Sequence, residues 1–287
     1  AMRQLRCTQN ILLPKTISLR EINCRKAAFI HQLFSIMPGL NITDINGVLL
    51  ELDKIIAQCE KEGSRQAYFA VLYRRMTEAV HKGISDHIFE NGSRMEKLDV
   101  IFAKRYINAW HCYRNASPCS LSWQTAFDAC EKNNLTVVQH LMLGINTHIN
   151  LDLSIATAET APDNDIFKME ADYNRINDII AGAANELQIR LEKIWWPMKW
   201  LTHIANNRQK AVVNFSISKA RQAAWANAVA MALTDGPAEQ HYVTGLDQTV
   251  DSIANGIINP GISAGLLLKI VHWAEERDVG KIITLLK

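Results

Sequence analysis

The chain has 287 residues, of which 48% are hydrophobic and 21% are charged, an ordinary composition for a globular protein. Its formal net charge of +2 is too small to indicate binding to nucleic acid or to a membrane surface. No apolar run approaches the roughly 18 residues of a membrane span, and no secretory signal is recognisable. The six cysteines are scattered without metal-type spacing, so they are expected to be reduced thiols of a cytoplasmic protein.

Helical periodicity runs through most of the chain, and no segment shows the alternation of a strand. Residues 1–18 have no period and are expected to form an N-terminal arm. Residues 19–287 are predicted to form a single all-α domain, a compact bundle of about nine or ten helices joined by short loops. Ser93 and Ser122 are expected to cap two of these helices, and the segment around Pro197 is rich in tryptophan. No nucleotide-binding, nucleophile-elbow or zinc-protease motif is found.

The most informative stretch is a predicted helix at about residues 135–158, which carries polar side chains among Val, Leu, Ile and Met. On a helical wheel of about 100° per residue, two polar strips flank an apolar strip. The helix therefore has no face for solvent and is predicted to lie at the centre of the bundle. Buried polar groups are costly unless they are paired, so a polar network, a ligand or a metal is expected there. The first strip contains His140, Gly144, His148 and Asp152, and the second contains Gln139, Asn146 and Asn150.

His148 and Asp152 are about 6 Å apart along the helix axis and can bind one metal ion, whereas His140 is too distant to share an ion with Asp152. A His-x3-Asp pair can form half of a metal site whose other ligands, Asp99 among them, would come from neighbouring helices. The alternative is a buried histidine and carboxylate that form hydrogen bonds within the core. Gly144 lies between the two histidines, and its missing side chain indicates the close approach of a ligand or of another helix.

Other candidate site residues lie on the flanking helices. Asp99 falls in the aromatic, core-facing strip of its helix, where it could be a metal ligand, a general base or a structural acceptor. Arg105 lies on another face, as a surface charge or as the partner of a second carboxylate. Arg221 lies among small residues, so it is predicted to point inward and to pair with Asp99, Asp152 or Asp172. The predicted substrate-binding residues are His140, Asn146, Asn150, Arg105, Asp172, Asn177, Arg221 and Trp225.

Five segments of the chain carry a family resemblance. They are YFAVLYRRMTEAV (68–80), MEKLDVIFAKRY (95–106), W-x3-F (123–127), H-x3-G-x-N-x-H-I-N-x-D-L (140–153) and D-Y-x-x-I-N (172–177). Together they resemble a bacterial family known only as a domain of unknown function, over about residues 68–225, and the resemblance implies an all-helical fold but no activity.

The central helix is also similar to that of the zinc-dependent phospholipase C and single-strand nuclease group, which is all-helical and uses His-x3-Asp. In that group further histidines follow the aspartate closely, whereas residues 153–162 contain none. A site with one or two metal ions, or with none, therefore remains possible.

Three functions agree with these features. In the first, a divalent metal such as zinc is held by His148 and Asp152, with Asp99 or Asp172 completing the site, and activates water in a hydrolase that acts on a small molecule. In the second, His148 oriented by Asp152 acts as an acid–base catalyst without a metal, and the surrounding polar residues hold the substrate. In the third, the protein is a binding or scaffold protein whose polar core only determines how its helices pack.

Overall fold

The computed structural model describes residues 42–194, 208–234 and 236–287. The predicted N-terminal arm and the tryptophan-rich segment around Pro197 lie outside these ranges. The described residues contain eleven α-helices and no strand, which confirms the predicted all-α fold. A π-helix (His148–Asp152) and a 3-10 helix (Asp163–Met169) interrupt the series. The α-helices are α1 (Ile45–Glu62), α2 (Gln66–Ser85), α3 (Gly92–Arg114), α4 (Leu121–Cys130), α5 (Val137–Thr147), α6 (Leu153–Thr160), α7 (Glu170–Ile194), α8 (Arg208–Ala232), α9 (Pro237–Ile258), α10 (Ile262–Ala274) and α11 (Val279–Leu286).

The two predicted caps at Ser93 and Ser122 are wrong by two residues each. The side chain of Asn91 caps α3, and that of Ser120 caps α4, so both predicted residues lie inside the first helical turn. Ser122 instead donates its hydroxyl to Asp247 of α9 at 2.6 Å. The error arises because Ser, Asn and Asp are all favourable caps, and the wheel does not decide among neighbouring candidates.

The predicted central helix is present as three consecutive segments, namely α5, the π-helix and α6, which together span residues 137–160. A capping box formed by Thr136 and Gln139 begins it. Helices α2, α3, α4, α8 and α9 pack around these segments. Both polar strips of the wheel are therefore enclosed by neighbouring helices, as the absence of a solvent face predicts.

The π-helix at His148–Asp152 is a feature that the wheel does not predict. It holds i→i+5 hydrogen bonds, and the N–H of Leu153 accordingly donates to the carbonyl oxygen of His148. The wider turn rotates the following side chains relative to a strip drawn at about 100° per residue. Single π-turns inside α-helices occur frequently at functional sites.

Gly144 is explained by the packing of α2 against α5. A Cβ atom built at Gly144 would lie 2.4 Å from Cδ2 and 2.5 Å from Cγ of Phe69. The Phe69 ring is itself held among aromatic rings, including Tyr106 at 5.0 Å and Trp123 at 5.6 Å between centroids. Of the two explanations from the sequence, the close approach of another helix accounts for this glycine without a ligand.

We expect Gly144→Ala to lower the free energy of unfolding by roughly 1–3 kcal/mol, because the methyl group overpacks a ring that cannot move away. The loss exceeds the gain of about 1 kcal/mol that alanine brings to a helix interior. Urea unfolding measures the change. Gly245→Ala in α9 is the matched control, since a Cβ there meets nothing within 4 Å, and it should stabilise the protein. A neutral or stabilising Gly144→Ala would contradict the packing explanation.

Candidate functional site

An apolar cavity of about 170 Å³ lies beside the central helix. It is lined by side chains of α2, α3, α7 and α8 together with residues of α5, the π-helix and α6, most of them Ile, Leu, Met, Val and Phe. An engineered apolar cavity of about 150 Å³ binds benzene, so this volume suits a small organic molecule. Its wall contains five residues with polar side-chain groups, namely Tyr73, Thr77, Asp99, His148 and Arg221.

His148 and Asp152 form a buried hydrogen-bonded pair, with 3.0 Å between His148 Nδ1 and Asp152 Oδ2. Asp152 also accepts from Trp123 Nε1 at 2.9 Å and from Arg105 Nε at 3.3 Å. A carboxylate that accepts from two other donors leaves Nδ1 of His148 to carry the proton. Nε2 is then the basic nitrogen, and it has no hydrogen-bond partner among the described residues. Arg105 is thus the partner of a carboxylate, one of its two predicted alternatives.

The surroundings of His148 keep its imidazole neutral. The ring stacks on Phe102, with 3.6 Å between centroids and 10° between planes, and the edge of Tyr73 lies 4.2 Å away. Burial lowers the pKa of His148, and the hydrogen bond with Asp152 only partly opposes this effect. Because Nδ1 is engaged by Asp152, Nε2 is the nitrogen left for a ligand.

Asp99 lines the same cavity as His148, on the opposite helix α3. Burial raises the pKa of Asp99 to about 7, and the charge of Glu96 adds to the rise. The carboxyl group is therefore about half protonated at neutral pH, and its Oδ2 atom has no hydrogen-bond partner among the described residues. The structural role proposed from the sequence, an acceptor for a tyrosine or for a neighbouring helix, is not realised by any hydrogen bond among the described residues.

Two hydroxyl groups on α2 complete the polar wall, and neither was predicted from the sequence. The hydroxyls of Tyr73 and Thr77 are buried and close enough to interact with each other, but neither makes a hydrogen bond of normal geometry with a described residue. Burial raises the pKa of Tyr73 well above its usual value, and the charge of Asp99 adds to this effect, so Tyr73 remains a donor. The available signal was their i, i+4 spacing beside the apolar strip of α2, which brings both onto one face.

The prediction that Arg221 pairs with Asp99, Asp152 or Asp172 is wrong for the described residues. Arg221 donates from Nε to Asn177 Oδ1 at 2.8 Å and from Nη2 to the carbonyl oxygen of Tyr173 at 2.7 Å. The predicted partner Asp172 accepts instead from the backbone N–H groups at the start of α3, and Asp152 is occupied by Arg105. The helical wheel correctly placed Arg221 inside the protein, where the residue is 3% exposed. A wheel contains no information about which neighbouring helix faces the side chain.

The remaining predicted site residues do not line the cavity. Asn146 donates to the carbonyl oxygen of Val250 at 2.9 Å and accepts from Asn150 at 3.0 Å, so this pair ties the central helix to α9. The ring of His140 contacts the ring of Tyr68 edge-on, and burial lowers the pKa of His140 to about 4. Trp225 packs against the ring of Tyr173. Asp172 accepts from the N–H groups of Glu90 and Asn91 at 2.7 and 2.9 Å.

The donor groups around His148 and Asp152 limit how a metal ion could bind there. Within residues 42–194, 208–234 and 236–287, no group of three or more His, Cys, Asp or Glu side chains is arranged to hold a metal ion. Both oxygens of Asp152 already accept hydrogen bonds from Trp123, His148 and Arg105. A metal bound by His148 and Asp152 would have to displace some of these bonds and recruit a ligand from elsewhere.

Fold and site together define an all-helical protein with an apolar cavity, whose wall carries His148 of a buried histidine–aspartate pair. The chain belongs to a family of unknown function, DUF5995, whose model matches residues 45–260. This match extends beyond both ends of the resemblance at about residues 68–225. Comparison with curated proteins and with solved structures finds no match. Among the described residues, no helix is both long and apolar enough to cross a membrane.

Proposed function

We propose that the protein is an enzyme that performs acid–base chemistry, without a metal, on a small and mainly apolar carbonyl compound bound in the cavity. The observation that carries the proposal is a set of four buried polar atoms, each on a residue that lines the cavity and each without a hydrogen bond of normal geometry in the described part of the chain. They are His148 Nε2, Asp99 Oδ2, Tyr73 Oη and Thr77 Oγ1. Native cores rarely leave such atoms unpaired, and a ligand supplies the missing partners.

The proposed base is Nε2 of His148. Asp152 holds the proton on Nδ1 and orients the ring, and Trp123 and Arg105 hold Asp152 in turn. Because its imidazole is neutral, Nε2 can accept a proton from the carbon next to the substrate carbonyl. The electron pair of the broken C–H bond moves toward the carbonyl oxygen. The same base could instead take a proton from a water molecule that attacks an ester, which leads to hydrolysis.

The proposed acid groups are the protonated carboxyl of Asp99 and the hydroxyls of Tyr73 and Thr77. Each can donate a hydrogen bond to the oxygen on which negative charge develops. A carboxylic acid that an apolar site keeps protonated is a known donor of this kind. One base and several donors around an apolar space make a carbonyl compound the best match to the site.

The metal-dependent hydrolase predicted from the sequence is the second candidate. Its support is the His-x3-Asp pair itself, and the hydrogen bonds already made by Asp152 weigh against it. The scaffold alternative accounts for Asn146 and Asn150, which connect helices, but it leaves the four unpaired atoms on the cavity without a role.

The first experiment uses two probes of suitable size. Phenylacetone in D2O reports proton abstraction through exchange of its CH2 protons by NMR, and phenyl acetate reports hydrolysis. We expect His148→Gln to lower the rate of whichever reaction the protein catalyses by about 10²–10⁴-fold, which is the usual contribution of a general base. Wild-type protein should keep its activity after dialysis against EDTA.

The matched control is His140→Gln, which changes a buried histidine of the same helix that does not line the cavity. It should leave the rate unchanged. Activity lost on dialysis and restored by zinc would support the metal-dependent hydrolase instead. Equal rates for wild type and His148→Gln with both probes would contradict the role proposed for His148.

A further inference from the structure

Arg221 is a buried cation that has no carboxylate partner among the described residues. Its guanidinium makes two hydrogen bonds, both to neutral oxygens, and it lies over the ring of Tyr173 at 4.4 Å. Nη1 donates to no described residue. The Arg221 residue is only 3% exposed, and it belongs to the wall of the cavity.

A guanidinium stays charged in proteins, and a buried charge is costly unless an opposite charge compensates it. The acidic side chains nearest in the fold do not do so. Asp99 lines the same cavity but forms no ion pair with Arg221, and Asp172 is engaged by Arg94 and by the backbone at the start of α3. The cavity thus has a positive group at the α8 wall and an apolar interior.

We propose that the cavity binds a small monocarboxylate, with the carboxylate against Arg221 and an apolar body among the Ile, Leu and Met side chains. The carboxylate compensates the buried charge and can accept from Nη1. The volume of about 170 Å³ limits the body to roughly the size of a benzene ring with a short side chain.

This inference rests on the proposed function in that it names the class of the substrate for the same cavity. The substrate would then be a small acid that also has the carbonyl group on which His148 acts. Binding through Arg221 and catalysis by His148 involve different residues, so the two proposals can fail separately.

Isothermal titration calorimetry with benzoate, phenylacetate and hexanoate tests the inference on the wild-type protein. The key comparison is phenylacetate with phenylacetamide, which has nearly the same shape and no charge. We expect phenylacetate to bind roughly 10- to 100-fold more tightly, as a charge-assisted hydrogen bond to a buried cation predicts. Arg221→Gln should remove this preference. Lys219→Gln removes one positive charge from an exposed position of the same helix, and this variant should retain the preference for phenylacetate.

Equal affinity for phenylacetate and phenylacetamide would overturn the inference, and so would binding of none of the three acids. The ligand comparison needs only wild-type protein, so it decides even where Arg221→Gln does not fold. If carboxylates bind through Arg221 but His148→Gln leaves both reactions unchanged, the proposed function is wrong and the carboxylate site stands. If neutral carbonyl compounds react at His148 but no carboxylate binds, the carboxylate site is wrong and the proposed function stands.

Discussion

Asp152→Ala is expected to lower the free energy of unfolding by about 3–5 kcal/mol, because it breaks the buried ion pair with Arg105 and removes the acceptor of the hydrogen bonds from His148 and Trp123. The side chain of Arg105 is only 10% exposed, and its second carboxylate contact, Glu159 Oε1 at 3.5 Å, lies toward the surface. Trp123 Nε1 would also lose its only hydrogen bond in the described structure. Urea unfolding at pH 7 measures the change.

Glu159→Gln is the matched control, since it removes the other acidic partner of Arg105 at a site where the carboxylate is 47% exposed. Such surface ion pairs contribute about 0–1 kcal/mol, so this variant should be nearly neutral. A loss for Asp152→Ala that is no larger than that for Glu159→Gln would show that the buried pair does not stabilise the fold.

Asp152→Asn separates stability from chemistry at the same position. The asparagine keeps an oxygen for Trp123 or Arg105, but its NH2 group can face His148 only if Nδ1 becomes an acceptor. The proton then moves to Nε2, and the base that the proposed mechanism needs is lost. We expect this variant to be more stable than Asp152→Ala and to lose activity as His148→Gln does.

Asp99→Asn is expected to stabilise the protein at high pH. The folded-state pKa of about 7 lies above the usual aspartate pKa of 3.8, so between these values the native state holds a proton that the unfolded chain has released. The native state therefore loses stability as pH rises from about 4 to 7, and the total loss is on the order of 4 kcal/mol. Asparagine has no proton to lose and avoids this cost.

The measurement is urea unfolding of wild type and Asp99→Asn from pH 5 to pH 9. We expect the difference in free energy of unfolding to grow in favour of the variant by roughly 2–3 kcal/mol between pH 5 and pH 8. Taking the difference cancels the effects of His140 and His148, whose lowered pKa values act in the opposite direction as pH falls below about 6.5. Asp163→Asn, which removes an exposed carboxylate, is the control for the loss of one negative charge. A difference that stays constant with pH would show that Asp99 is ionised in the folded protein.

The sequence by itself determined the relations between residues of one helix. The i, i+4 spacing of His148 and Asp152 predicts that they can touch, and they do, because neighbouring turns of a helix bring such side chains together whatever surrounds them. The same local geometry placed Asp99 and Arg221 inside, and the lack of a polar face showed that the helix at 137–160 is enclosed. These inferences require only the helical period and the cost of exposing apolar side chains.

Only the tertiary structure decided which side chains meet across helices. Arg105 rather than Arg221 pairs with Asp152, and Asn177 rather than a carboxylate accepts from Arg221. The π-helix, the cavity and the hydroxyls of α2 on its wall were likewise not predicted. The physical reason is that contacts between helices depend on how the ridges and grooves of side chains pack, and on crossing angles that one helical wheel does not contain.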